Sequence, residues 1–148
     1  MAIKKEMLED LERRRQCIAG EQAKIEARHA KGLMTARERI AGLVDLGSFQ
    51  ESGAHVGHDV RGFGFEKKVL PGDGVVTGLG LVDGRPVSVI SQDFIVSGGS
   101  LGSRHARKMA ETMQQAIELG NPIISMNDSG GARIQEGVRS LAGYGQVF

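Results

Sequence analysis

The spacing of hydrophobic positions changes several times along the chain, and each change marks a different kind of element. From Lys4 to about Ala30 nearly every residue is a helix former, with Met7, Leu11, Ile18 and Ile25 at intervals of four and seven. That spacing puts them on one narrow stripe, so a long amphipathic helix ended by Gly32 is expected. Its charged remainder, including Glu12, Arg13, Arg14 and Arg15, reads as a solvated face, with docking against a partner subunit as the functional alternative. In "TARERIAGLVD", Thr35 and Glu38 have the spacing of a capping box and predict a short helix from about Ala36 to Val44. "DLGSFQESG" turns the chain, and the run from Gly53 to Lys68 reads as a loop or edge segment.

Strand signals begin after "PGDG". Val75, Val76, Leu79 and Leu81 are followed by Asp83-Gly84 and a second apolar run from Pro86 to Phe94, a pattern that predicts a two-residue hairpin. Gly78 and Gly80 inside the first run imply a strand pressed against another element. After "VSGGSLG" the apolar spacing lengthens again. Ala106, Met109, Ala110, Met113, Ala116 and Ile117 form the core face of a helix of about four turns, with the methionines as packing groups. Gly120 and Pro122 supply its stop signal, and the uninterrupted run "PIISMN" predicts a buried strand. Strand, strand, helix, strand, glycine loop and helix make an α/β domain in which one strand returns by a right-handed helical crossover. The pattern divides the chain into a helical segment, residues 1–32, and an α/β part, residues 33–148. "YGQVF" lies inside a helical pattern with neither cap nor breaker, which leads us to expect a piece of a longer protein.

Composition narrows the chemistry mostly by exclusion. At 148 residues with a net charge of +1, the chain has no general attraction to nucleic acid or membrane. It has no tryptophan and few aromatics, so a base-stacking platform is not expected. No apolar run is long enough for a membrane span, and the N-terminus has no signal-peptide pattern. The single cysteine, Cys17, excludes an intrachain disulfide and a zinc ribbon of paired CxxC motifs; no metal site is expected, and a reducing, cytoplasmic or matrix setting is the simplest. On a helix it reads as a plain thiol. The unusual number is 22 glycines, concentrated after residue 42.

The densest chemistry sits in "NDSGGAR", Asn127 to Arg133, between a predicted strand and a helix starting near Ile134. Ligands of such layouts lie outside the carboxyl ends of strands. A turn is the plainest reading, and three functional ones compete with it. A Ser129 nucleophile needs a histidine base, and nothing in the sequence brings His29, His55, His58 or His105 to it; Asn127 also departs from the GxSxG elbow. A phosphate loop fails because no lysine adjoins the second glycine. An oxyanion loop fits better. Gly130 and Gly131, lacking side chains, let consecutive backbone N–H groups converge on one oxygen, helped by the helix dipole beyond.

"PGDGVVTGLGLVDGRPVSVISQDFIVSGGSLGSRHARKM", Pro71 to Met109, and "GNPIISMNDSGGARIQEGVRSLAGYGQVF", Gly120 to Phe148, resemble the carboxyltransferase (β) subunits of biotin-dependent acyl-CoA carboxylases, most nearly the propionyl-CoA branch. "TARERIAGLVDLGSFQE" extends the resemblance toward the N-terminus. The resemblance implies a crotonase-like fold of stacked ββα turns, with residues 33–148 as the first part of an N-terminal carboxyltransferase domain behind a long N-terminal helix. It implies transfer of a carboxyl group from carboxybiotin, on a partner subunit or domain, to the α-carbon of a short-chain acyl-CoA, in a homo-oligomer. Gly130 and Gly131 would be the catalytic pair that stabilises the thioester enolate. Ser97, Gly98, Gly99, Ser100, Leu101 and Gly102 would form a wall of the coenzyme A site, as a loop at a helix start suits an anion or pantetheine amides. Arg104 and Arg107 are either coenzyme-phosphate partners or exposed helix charge, and His105 a structural hydrogen-bonding residue. Arg133 and Glu136 are expected to brace the loop and Ser129 to cap the helix. Ile95 stands where the family usually has threonine, Ser97 where a larger residue is common, and "HDVRGFGF" is only loosely similar. The lack of a four-cysteine ribbon points away from bacterial acetyl-CoA carboxylase β subunits. Decarboxylase α subunits and transcarboxylases share the motifs, and a non-catalytic binding or assembly fragment is the alternative of a different class.

Overall fold

The computed structural model describes residues 5–62 and 64–148; Lys4 of the expected first helix and Phe63 of "HDVRGFGF" lie outside the described residues. The framework is a hairpin of β2 (Val75–Val82) and β3 (Arg85–Gln92), paired antiparallel throughout. Asp83 and Gly84 join them with φ of 50° and 74°. Two positive φ values define the turn whose twist matches the flanking strands, as the Asp-Gly dipeptide predicts. β1 (Gln50–Ser52) adds to β2 antiparallel and β4 (Ile123–Met126) adds to β3 parallel, giving the order β1-β2-β3-β4. A parallel neighbour requires a crossover, and α4 (Ser103–Leu119) provides it.

Alternation along the strands divides the core between the two faces of the sheet. Val76, Val87 and Val89 pack with Ala36 and Ile40 of α3 (Ala36–Leu43). Val75 and Ile90 pack on the other side with Leu101, Ala106 and Met109 of the α4 region. α5 (Val138–Val147) lies on α4 so closely that a Cβ on Gly143 would stand 2.8 Å from the Ala106 Cβ. The capping box of α3 is present in full, with Thr35 accepting from the Glu38 N–H and Glu38 from the Thr35 N–H. The close approach expected of β2 is real: a Cβ on Gly78 would lie 2.2 Å from the Gln50 carbonyl oxygen, and one on Gly80 would lie 2.8 Å from Val44 Cγ1.

Several features differ from the sequence expectations. The N-terminal helix comes in two pieces, α1 (Lys5–Ala19) and α2 (Gln22–His29). Gly20 enters the left-handed region at φ 93°, and a Cβ there would meet Ile95 Cδ1 at 2.9 Å, so the chain bends where it touches the body of the protein. β1 lies inside the segment read as a turn. β4 is an edge strand of this sheet, with Ile123 39% exposed, rather than a buried one. Ile117 is 72% exposed, since the α4 core face turns through Met109, Thr112 and Ala116 instead. A 3-10 turn, Ile134–Glu136, precedes α5, which starts only after Gly137.

Candidate functional site

The loops Ser97–Gly102 and Asn127–Arg133 follow the carboxyl ends of the parallel neighbours β3 and β4, where α/β sheets hold ligands. They lie side by side. The Gly130 N–H donates to the Gly98 carbonyl at 2.8 Å. Leu101 and Ala132 then form a parallel bridge, in which the Leu101 N–H donates to Gly131 O at 2.9 Å and the Arg133 N–H to Leu101 O at 3.0 Å. The structure thus brings the two predicted site segments into one unit.

Their backbone donors are not equivalent. Gly130 spends its N–H on Gly98, and Gly131, at φ 100°, donates to Ser129 Oγ at 3.1 Å. In this parallel pairing Leu101 turns both its N–H and its carbonyl toward the partner segment, so Ala132 opposite it turns its own N–H away. The Ala132 N–H accordingly has no acceptor among the described residues. Sequence reading missed Ala132, because the feature that frees its N–H is a pairing with Leu101 that no local motif announces. Ser129 caps no helix: the residue at the N-cap of the following 3-10 turn is Arg133, which makes no side-chain cap bond there. Ser129 Oγ has no histidine partner among the described residues; its contacts are with the Gly131 backbone.

Beneath the loops lies a buried ionic network. Arg133 is 0% exposed and its Nη1 pairs with Asp73 and, at 3.0 Å, with Glu136. Nη2 donates to Ser100 O at 2.8 Å and Asp73 O at 3.2 Å. Glu136 Oε2 accepts the Ser103 N–H at 2.7 Å and Asp73 Oδ2 accepts the His105 N–H at 2.8 Å, so both carboxylates meet unsatisfied donors at the start of α4. Burial raises the Asp73 carboxyl against the opposing pull of Arg133. Arg133 and Glu136 therefore brace the loop as expected, and Asp73, in the left-handed turn of "PGDG" at φ 53°, is the member sequence reading missed.

His105 is fully buried and structural. Its Nδ1 lies 3.0 Å from Asp73 O and its Nε2 3.3 Å from Gln92 Nε2, which assigns Nδ1–H as donor and Nε2 as acceptor. Burial, aided by the Arg133 cation, lowers it to about 3, so the ring is neutral. Beside it Lys108 Nζ donates to Val75 O at 2.6 Å and Gly72 O at 2.9 Å, and burial lowers that amine to about 8. Arg104 and Arg107 stay on the exposed face of α4, 3.5 Å from Asp59 and 2.7 Å from Glu111.

Of the six residues in the first loop, Gly99, Leu101 and Gly102 are buried, Gly98 and Ser100 half-buried and Ser97 exposed. A cleft of about 370 Å³ opens beside Ser97, lined by Leu70, Ile95, Val96 and Lys24 among others. Among the described residues no group of three or more His, Cys, Asp or Glu side chains could hold a metal ion, and no helix is long and apolar enough to cross a membrane.

Comparison with known proteins gives this geometry a family. A carboxyl transferase domain model matches residues 27–148, and the chain belongs to that family. It is 49% identical over 100% of its length to the methylmalonyl-CoA decarboxylase subunit alpha of Propionigenium modestum. It is 54% identical over 92% of its length to the human mitochondrial propionyl-CoA carboxylase beta chain. The chain spans only 29% and 26% of those two proteins. Among solved structures, it matches the transcarboxylase 12S hexamer with bound methylmalonyl-coenzyme A at 48% identity and a TM-score of 0.92, covering 99% of this chain and 29% of that one. A single-chain long-chain acyl-CoA carboxylase matches at 28% identity and a TM-score of 0.76, over 89% of this chain and 14% of that one. The crotonase-like α/β fold expected from the sequence is the fold shared with these carboxyltransferases.

Proposed function

We propose that the paired glycine loops form the acyl-thioester half of a carboxyltransferase site, passing a carboxyl group between biotin on a partner subunit or domain and the α-carbon of a short-chain acyl-CoA, with propionyl-CoA as the first choice. The observation that carries this reading is the Ala132 N–H, a donor without an acceptor among the described residues, held at the junction of the two loops. A thioester carbonyl oxygen seated on it gains negative charge as the α-proton leaves, so the hydrogen bond strengthens along the reaction coordinate and lowers the barrier. The enolate carbon would then form the new C–C bond to the carboxyl carbon, whose bond to the biotin nitrogen breaks. Gly130 and Gly131 act here by setting the loop and keeping its mouth free of side chains, since a Cβ on Gly131 would meet nothing within 4 Å. Ser97, Gly98 and Ser100, the outward members of the first loop, line the pantetheine arm. Biotin, when bound, would supply or accept the carboxyl group, and the ring nitrogen freed of it would take up the α-proton.

The same donor serves carboxylation and decarboxylation, because both directions pass through one enolate. That accounts for relatives named as carboxylase, decarboxylase and transcarboxylase at similar identity. In this reading residues 1–32 precede the first part of a carboxyltransferase domain, residues 33–148, within a cytoplasmic homo-oligomer served by a biotin-bearing partner. The test is Gly131→Val in the complete gene product. Carboxyl transfer to propionyl-CoA is expected to fall by about 10²–10³ while the oligomer, measured by sedimentation, is retained. Turnover like that of the unmodified protein would sink the assignment, and labelling of Ser129 by a serine-directed fluorophosphonate would redirect it to hydrolysis.

A further inference from the structure

The loop that presents the Ala132 N–H is anchored at both ends. Arg133 holds its end through the buried network described above. Its beginning is held at Asp128, through both the carboxylate and the backbone N–H. The carboxylate pairs with Arg28 of α2 and lies 3.7 Å from Arg39 Nη2 of α3. The Asp128 N–H donates to Gln92 Oε1 at 3.1 Å, and the Asp128 carbonyl oxygen lies where a Cβ on Gly99 would come within 2.2 Å of it. Arg28 is itself fixed. Its Nε donates to Met34 O at 2.7 Å, its guanidinium stands 5.5 Å from the Phe94 ring centroid, and its side chain is only 9% exposed against 24% for Asp128. The pair joins residues far apart in sequence across a partly desolvated gap, where a charge-assisted bond is stronger than at an open surface.

We propose that Asp128 is a positioning residue for the anion-stabilising loop and that Arg28 is its anchor, which makes the N-terminal helix α2 part of the catalytic machinery. This rests on the proposed role of the loop. The physical link is short: Ala132 follows Asp128 by four residues, and the segment between them is Ser129, Gly130 and Gly131, two of which lack the side chains that restrict backbone rotation. With its first residue released, that stretch samples more conformations and the donor leaves its alignment with the thioester oxygen. Misplacement of about 1 Å in such a group costs on the order of 10² in rate.

The experiment compares Arg28→Met, Asp128→Asn and Arg28→Lys in the complete gene product, with Glu21→Gln, an exposed residue that precedes α2 and pairs with Lys24, as control. Two readouts are taken: steady-state carboxyl transfer to propionyl-CoA, and amide hydrogen exchange over residues 129–132. Arg28→Met and Asp128→Asn are expected to lower kcat by roughly 10- to 100-fold with KM for propionyl-CoA changed by less than about threefold. Exchange at 129–132 is expected to rise by about tenfold. Arg28→Lys, which keeps the charge, should fall between them and the unmodified protein, and Glu21→Gln should match the latter. Asp128→Asn, nearly isosteric, decides the matter if Arg28→Met fails to fold. Exchange at 129–132 unchanged in both variants, or kcat within about twofold of normal, overturns the proposal. If the unmodified protein acts on no acyl-CoA, the functional reading fails, while the exchange measurement still decides whether Arg28 and Asp128 order the loop.

Discussion

The two glycine-rich loops use the same residue for opposite purposes. In Ser97–Gly102, Gly99 and Gly102 are places where another part of the protein already occupies the side-chain volume: a Cβ on Gly99 would lie 2.2 Å from Asp128 O, and one on Gly102 would lie 2.2 Å from Glu136 Oε1 and 2.5 Å from Arg133 Nη1, whereas Gly98, at φ 65°, has open space around it. In Asn127–Arg133 a Cβ on Gly131 meets nothing within 4 Å, and one on Gly130 reaches only the Gly98 carbonyl oxygen at 3.5 Å. At Gly99 and Gly102 glycine is required for packing; in the second loop it leaves space and, at Gly131, permits a left-handed turn. Substitutions of Gly99 or Gly102 should therefore register as lost stability and those in the second loop as lost activity.

The sharpest way to break this contrast is Gly102→Ala. The methyl group would displace Arg133 or Glu136 and expose a buried ion pair to loss of one partner, so we expect about 3–5 kcal/mol of destabilisation, read from the midpoint of urea unfolding. Gly131→Ala comes next. A non-glycine residue at φ 100° carries strain of about 1–3 kcal/mol, and carboxyl transfer should fall further than stability does. A third measurement concerns the packed side of the contrast. His105 has an ordinary value of 6.5 and is lowered to about 3 in the fold, so the unfolded chain binds the extra proton first. Its stabilisation is complete above pH 6.5 and is lost as pH falls toward 3, with a slope of at most about 1.4 kcal/mol per pH unit. His105→Gln should flatten the acid limb of a stability–pH curve. The smallest effect is expected of Gly130→Ala, whose added methyl makes an ordinary contact; stability should stay within about 0.5 kcal/mol by urea unfolding, with a measurable drop in turnover.

Much of the fold was legible because its signals are local. Asp83-Gly84 dictates its own turn, Thr35 and Glu38 satisfy each other across three residues, and Gly120 closes α4 at φ 68°. Gly78 and Gly80 even announced a close neighbour without saying which. What failed depends on distant partners. Gly20 bends the first helix where Ile95 comes up against it, and β1 exists because β2 offers it an edge. β4 has the composition of a buried strand, but burial is a property of its neighbours. At the site, the glycines of "NDSGGAR" were visible as special, whereas Ala132 and Asp73 owe their roles to Leu101 and Arg133, contacts that no spacing rule encodes.

The Arg133 ion pairs also set when the site comes into being. Arg133 reaches back 60 residues to Asp73 and 33 to Ser100, closing the loops that contain β2, β3 and α4. The entropy of closing those loops opposes the contact until the hairpin and helix are in place. A ribosome-bound chain that has not yet released Arg133 can hold a formed hairpin but cannot hold a formed donor loop. The acyl-thioester recognition proposed for this loop would thus be among the last properties acquired as the chain folds.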